Sequence, residues 1–501
     1  ANIIGHVLDK KTSEHLPYIT IALKGTTIGT VTDATGHYFL KNLPEGNFMM
    51  EVSSVGYKTV TRSVTLKKGK TLEENFELEE DAIALDGVVV SANRSETTRR
   101  LAPTLVNVVD LKLFETTNSS TLSQGLNFQP GVRVETNCQN CGFQQVRING
   151  LDGPYTQILI DSRPVFSALS GVYGLEQIPA SMIERVEVMR GGGSALFGSS
   201  AIAGTINIIT KEPLRNSGQL SHTITSIGGS SAFDNNTSLN ASLVTDDHRA
   251  GLYIFGQNRH RSGYDYDGDG FTELPKLKNQ TVGFRSYLKT STYSKLTFEY
   301  HHMQEFRRGG DMLDRPPHEA HIAEQLQHSI DGGSLKYDYF SPNEKNRLSV
   351  FASAANTDRD SYYGPGNDPL KAYGKTTDLT AMGGVQYVHT FDKCLFMPSD
   401  LTAGLEYNRD RLKDNMWGYD RHTDQTVKVY SAFLQNEWKN KHWGILIGGR
   451  LDKHNMVDDV IFSPRANLRF NPTDNINLRL SYSSGFRAPQ AFDEDMHIEN
   501  V

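Results

Sequence analysis

From about residue 214 onward, the chain repeatedly places an apolar side chain at every second position. Leu296, Phe298 and Tyr300 alternate with Lys295, Thr297 and Glu299. Leu348, Val350, Ala352 and Ala354 alternate with polar or small partners, and Ile476, Leu478, Leu480 and Tyr482 with Asn477, Arg479, Ser481 and Ser483. Period two with one apolar face describes a β-strand between an apolar and a wet surface. The supply of apolar residues narrows the choice further. Hydrophobic residues make up 37% of the chain and mean hydropathy is −0.46, low for a large dry core. No run of ~18 apolar residues marks a transmembrane helix. A barrel with lipid outside and a wet lumen inside accounts for both facts.

The connections support a barrel. Short turns (Asp246-Asp247, 341–345, 471–474) interleave with long polar stretches at 259–278, 303–327, 358–376 and 409–426. Short turns on one side of a membrane and long loops on the other is the expected asymmetry. A soluble β-sandwich or propeller shares the period but not this alternation.

Residues 1–80 read as a small β-sandwich. Short β-rich runs (18–23, 38–40, 48–52, 71–78) are separated by turn signals at 33–36, 44–46 and 68–69. An acidic stretch, Leu78-Glu79-Glu80-Asp81, opens a linker over 81–100. It contains the apolar run Leu85-Asp86-Gly87-Val88-Val89-Val90-Ser91-Ala92, which is either an ordinary edge strand or a segment that pairs edge-on with a partner strand. Residues 101–213 follow as a separate glycine- and charge-rich unit, and 214–501 carry the alternating strands.

The most specific motifs lie within 101–213. Leu126 and Gln129-Pro130-Gly131-Val132 come first, followed by Val146-Arg147-Ile148-Asn149-Gly150 and Ile158-Leu159-Ile160-Asp161-Ser162-Arg163-Pro164. Next is Ile183-Glu184-Arg185-Val186-Glu187-Val188-Met189-Arg190-Gly191, continuing to Gly198, and then Ala203-Gly204-Thr205-Ile206-Asn207-Ile208-Ile209-Thr210. In this order and spacing they resemble the plug of TonB-dependent outer-membrane receptors. Gly485-Phe486-Arg487-Ala488-Pro489 resembles a barrel segment of the same family. Ile4-Gly5-His6-Val7, Gly29-Thr30-Val31-Thr32-Asp33 and Gly36-His37-Tyr38-Phe39 resemble the carboxypeptidase regulatory-like domain that many Bacteroidetes receptors carry ahead of the plug.

The resemblance implies a mainly β chain: a periplasmic N-terminal sandwich, an α+β plug, and the N-terminal part of a transmembrane antiparallel barrel. Such barrels have about 22 strands, against roughly 13 candidates after Thr210, so about nine C-terminal strands are expected beyond this chain. An open sheet edge is costly in lipid. Ala1 reads as the residue left after an export signal is removed. The resemblance makes residues 85–92 a TonB box, by which the periplasmic partner TonB pulls the plug.

Several residues are candidates for a site. Glu184, Arg185, Glu187 and Arg190 are charges in a β-run expected inside a lumen, where charges persist only when paired. Arg147, Arg163, Arg185 and Arg190 are expected to pair with barrel-wall acids. Two plug loops are expected to face outward and touch ligand, through Gln139, Asn140 and Phe143 in one and Phe166, Ser167, Leu169, Ser170 and Tyr173 in the other. Cys138 and Cys141, two of only three cysteines, form a local disulfide, a soft-metal site or plain thiols. Asp265, Asp267, Asp269 and Glu273, with Gly270 between, are spaced like a calcium loop, although Lys276 stands where an EF-hand has its glutamate. His301, His302, Met303, His318 and His321 gather near one long stretch, as haem or metal ligands or as solvated histidines.

No nucleophile–base or paired-carboxylate constellation points to an enzyme. The net charge of −7 carries no basic stripe for nucleic acid. The function implied is energy-coupled import of a ferric siderophore or similar metal complex, with cobalamin or haem as alternatives. A signalling or adhesion receptor is the rival class. TonB and the lipid bilayer are the expected partners, with a surface lipoprotein in the glycan-importer variant. Calcium is the expected cofactor.

Overall fold

The computed structural model describes residues 1–501 apart from 55, 82–87, 93, 95, 137, 139, 165–173, 365–368, 493–495 and 497–501. Two four-stranded sheets build the N-terminal sandwich. In one, Asn2–Asp9 pairs with His37–Leu40, Thr71–Glu73 and Phe76–Leu78. In the other, Gly29–Val31, Thr20–Leu23, Gly46–Ser53 and Val60–Leu66 lie side by side. Alternate residues of both face inward, and Ile3, Val7, Ile21, Leu23, Met50, Val52 and Leu78 are buried between them. The run expected over 71–78 breaks in two at Glu74 and Asn75. Strand 20–23 starts two residues later than expected, because Tyr18 adopts a positive φ of 62°.

The plug is α+β. Its central sheet runs Val106–Asp110, Ile183–Arg190, Gly204–Thr210, Thr156–Ile160, with the last pair parallel. A hairpin, Val132–Thr136 with Gln144–Ile148, and short helices such as Leu111–Thr116 complete it. Asp110 caps that helix by accepting from the Leu113 N–H at 3.0 Å. Ile148, Val186, Val188, Ile206 and Ile208 are buried in one apolar cluster.

From Ser217 onward, among the described residues, thirteen antiparallel strands follow one another in sequence order as a single sheet. The inside–outside logic of a soluble protein is reversed. Leu220, Leu405, Leu434, Ile447, Leu480 and Tyr482 project outward and exposed, while Arg259, Glu305, Arg307, Asp378 and Arg469 point inward and are buried. Among the described residues the first and last strands of the sheet, Ser217–Ser226 and Ile476–Ser483, each have one neighbour. Among the described residues, no helix is long and apolar enough to cross a membrane.

The long connections are shorter than their polarity suggests. The strands Met397–Met416 and Arg421–Lys439 stay paired through Asp410, Lys413 and Asp414, leaving only 417–420 between them. Backbone pairing does not depend on side-chain polarity, so the ladder continues after the apolar alternation ends. Twenty residues at ~3.3 Å each outrun an apolar band of ~25 Å. The stretches 262–275 and 311–322 remain the longest links. The sandwich rests at the opposite end. The Thr27 N–H donates to the Thr292 carbonyl at 3.0 Å, and Thr30 hydrogen-bonds His248 at 3.1 Å.

Leu405 sits mid-strand, 65% exposed, opposite Val385 on one side and Ala432 on the other. Leu405→Arg is expected to destabilise the bilayer-folded protein by about 2–4 kcal/mol. Thr402→Ser, on the buried inward face, is expected to cost under ~1 kcal/mol. Equal costs in lipid-vesicle unfolding titrations would contradict an outward face in lipid.

Candidate functional site

The site is the junction between plug and wall, and its polar core starts at one carboxylate. Glu187 and Asn207 are register partners on adjacent plug strands and are both fully buried. One Glu187 oxygen accepts from the Val90 N–H (2.9 Å), the Ser91 N–H (2.9 Å) and the Ser91 hydroxyl (2.7 Å). The other faces the Arg185 guanidinium at 3.0 Å. Asn207 donates to the Ser91 hydroxyl at 3.0 Å. Val88–Val89 pairs with Thr97–Thr98, and Val89, Ser91 and Ala92 are buried. Arg465 from the wall donates to the Ala92 carbonyl. Arg94 pairs with the wall residue Glu406 at 2.6 Å, and Arg450 shares that carboxylate at 2.8 Å. The expected edge strand is therefore stowed over 88–92, while Leu85, Asp86 and Gly87 lie outside the described residues.

Plug and wall meet mainly with the opposite charge pattern to the one expected. Arg147 pairs inside the plug with Glu135 and Asp152, and Arg190 donates to the Pro130 carbonyl. Arg185 pairs with Glu184 and Glu187, also inside the plug. Only Arg163 of that set reaches the wall, where it lies 4.0 Å over the Phe351 ring. The wall presents arginines, and plug carboxylates meet them. Glu176 touches Arg307 at 2.8 Å, Arg261 at 3.0 Å and Arg259 at 3.5 Å. Asp161, which accepts from the Thr210 hydroxyl at 2.7 Å, pairs with Arg285 at 2.9 Å. Glu212, just past the plug sheet, pairs with Lys295 at 3.0 Å and Arg285 at 3.3 Å. Burial pushes the Glu176 carboxyl up, but Arg261, Arg307 and Arg259 together outweigh it and hold the group far below the ordinary range, at about 2. Strand parity carried a signal for this: Arg259 and Arg261 flank the outward His260, and Glu305 and Arg307 share the inward face.

The outward plug loops are only partly described. Gln139 and the whole set Phe166, Ser167, Leu169, Ser170 and Tyr173 lie outside the described residues. Phe143 is buried with Cys141 against the wall residues Leu326, Tyr363 and Met416, so it packs and does not face open lumen. Asn140 abuts Gly309, where an added Cβ would stand 1.8 Å from its carbonyl oxygen.

Cys138 and Cys141 hold thiols, with no disulfide between them. The Cys141 N–H points at Cys138 Sγ (3.3 Å), and that sulfur lies 3.2 Å from the Glu324 carboxylate of the wall. The hydrogen bond from the Cys141 thiol leads the causes that lower the Cys138 thiol; with the Cys141 N–H, the Glu324 side chain and the Asn140 N–H it outweighs burial and brings the thiol to about 6. Asp265, Asp267 and Asp269 come within 4.8 Å of one another in an exposed loop. Their oxygens accept from the loop's own Gly268, Asp269, Gly270 and Phe271 N–H groups, and Glu273 turns to the Tyr266 N–H. The histidines do not converge: His302 pairs with Asp331, His321 with Asp311, and His318 with the Tyr373 hydroxyl.

An outward-apolar sheet with charged walls around a folded plug defines an outer-membrane β-barrel protein. Residues 3–90 match the CarboxypepD_reg-like domain, 98–205 the TonB-dependent receptor plug domain, and 209–496 the TonB-dependent receptor-like β-barrel. The chain belongs to the TonB-dependent receptors. It is similar to the vitamin B12 transporter BtuB of Vibrio vulnificus (strain CMCP6), 24% identical over 424 residues, 81% of this chain and 64% of that protein. It is also similar to the ferric enterobactin receptor of Pseudomonas aeruginosa, 23% identical over 480 residues, 81% of this chain and 61% of that protein. The crystal structure of the siderophore receptor PirA from Acinetobacter baumannii superposes with a TM-score of 0.67 at 19% identity, covering 78% of this chain and 62% of PirA. The chain spans less than two thirds of the length of these relatives.

Glu176→Ala would leave Arg261 without a carboxylate and remove one of the charged links from plug to wall. A loss of about 3–5 kcal/mol is expected, read as plug release and protease sensitivity at lower denaturant with the barrel intact. An unchanged plug transition would mean that the cluster does not hold the plug.

Proposed function

We propose that this protein is an energy-coupled importer that moves a scarce, bulky ligand across the outer membrane. The observation that carries this reading is the tether between residues 88–92 and the plug sheet through Glu187, with the plug packed against the inward face of the wall. A barrel lumen filled by such a plug could not act as a passive pore, so passage would need work done on the plug. A segment joined to the plug core by hydrogen bonds is suited to deliver it. The polar character of the plug–wall contacts suits removal, because ion pairs and hydrogen bonds can be exchanged for water as the plug moves. The periplasmic partner is TonB, pairing with residues 85–92 as a strand once residues 88–92 leave their berth.

The cargo is proposed to be a ferric siderophore or similar metal complex, bound by the outward plug loops and the long barrel loops. A ferric enterobactin receptor and a siderophore receptor among the similar proteins support this class. The similarity to a vitamin B12 transporter makes cobalamin the second reading. Calcium is proposed to bind Asp265, Asp267 and Asp269 and to order the 262–275 link; calcium chelation should then weaken ligand binding to cells, and an unchanged affinity would remove the ion from the scheme.

The direct test compares uptake by cells carrying the full-length protein with uptake after deletion of residues 86–92, using ferric siderophores, haem and cobalamin. One ligand is expected to accumulate, with the deletion abolishing accumulation and sparing surface binding. Undiminished accumulation by the deletion would overturn the coupling role.

A further inference from the structure

The turn at 138–142 does more than close the plug's outward hairpin. Gly142, at φ +71°, donates its N–H to the Cys138 carbonyl at 3.0 Å, which folds the chain back on itself. That fold brings both sulfurs to one side and aims the Cys141 N–H at Cys138 Sγ.

The wall completes the arrangement from a distant part of the chain. Strand Ala323–Phe340 pairs with Ser294–Gly310 so that Glu324 lies directly opposite Gly309. Gly309 has no side chain to keep the plug loop away, and the Asn140 carbonyl occupies that space. The loop therefore sits close enough for Glu324 to reach Cys138 at 3.2 Å. One Sγ from each cysteine and one Glu324 oxygen all lie within 4.8 Å of one another, with Cys141 and Glu324 buried.

We propose that Cys138, Cys141 and Glu324 form a zinc site that fastens the outward loop of the plug to the barrel wall. Two thiolates and a carboxylate match zinc's ligand set and leave a fourth tetrahedral position for water or another donor. Calcium wants six or more oxygens and is a poor fit to thiolates. Copper(I) selects sulfur over carboxylate, and the nearby Met416 sulfur already accepts from the Ser361 hydroxyl at 3.5 Å. The metal would cross-link two units that otherwise meet here through apolar packing, at the far end of the plug from the sandwich. The site stands apart from the import reading: a receptor of any function can carry it.

The test uses the purified full-length protein in detergent, stripped with chelator and titrated with zinc and separately with copper(I) under reducing conditions. One zinc per chain is expected at this site, lost in C138S/C141S. Glu324→Gln should weaken it by more than the 10–100-fold that loss of an outer-shell partner causes. Gly309→Val, which keeps all three ligands but displaces the loop, is expected to weaken it as well. Cobalt in the wild-type protein should give a thiolate-to-metal charge-transfer absorption, a signature that does not depend on any variant folding. The site is overturned if the reduced wild type takes up no zinc there or takes up copper(I) alone. It is equally overturned if C138S/C141S binds zinc unchanged, or if protein taken directly from membranes carries a Cys138–Cys141 disulfide.

Discussion

A charge placed inside the lumen persists only if another group there meets it, and this requirement organises the molecule. Glu187 is the clearest case. Its two oxygens are shared between Arg185 and the backbone and hydroxyl of Val90 and Ser91, so the carboxylate is satisfied only while that segment is in place. The same requirement sets the plug within the wall, where Glu176, Asp161 and Glu212 each meet guanidinium or ammonium groups from barrel strands. One apolar cluster is internal to the plug, and a second packs Val89 and Ala92 of the linker against it. Among the described residues, the group around Cys141 and Phe143 joins the plug to the wall through apolar contact. A plug cohesive in itself and polar at its boundary can shift without first exposing its core.

The wall is built differently at two levels. On the sandwich side of the cysteine turn, near mid-wall, the linker is held between plug and wall by Arg94, Arg465 and Glu406. The cysteine turn itself sits on a glycine of the wall. Residues 88–92 contact the plug sheet, and Ala92 and Arg94 contact the wall, so a pull on this segment acts on both bodies. On the proposed function, these contacts tie partner engagement to loosening of the plug.

How far the sequence revealed this depended on the range of each interaction. Period-two alternation is local, and the outward faces of Ile476, Leu478, Leu480 and Tyr482 followed from it directly. The ends of strands did not, because hydrogen-bonded pairing continues through polar residues such as Asp410 and Asp414. Charges inside the lumen were legible by position but not by partner. Arg147, Arg185 and Arg190 find partners within the plug because the wall opposite it is lined with arginine. The Cys-x-x-Cys was visible as a motif, but Glu324 stands 186 residues beyond Cys138, and only the register of two wall strands brings it near. Likewise, nothing local to Val90 announces a carboxylate 97 residues away.

The central claim is that Glu187 holds residues 88–92 in a berth within the plug until they are drawn out. Amide hydrogen exchange on the full-length protein in membranes tests it most directly. The Val90 and Ser91 amides should exchange at least about 100-fold more slowly than in an unstructured peptide, equivalent to ~2.7 kcal/mol of opening free energy. In Glu187→Ala that protection should vanish while the Ile206 and Ile208 amides of the plug sheet keep theirs. Val90 and Ser91 exchanging at unprotected rates in the wild type would contradict the claim.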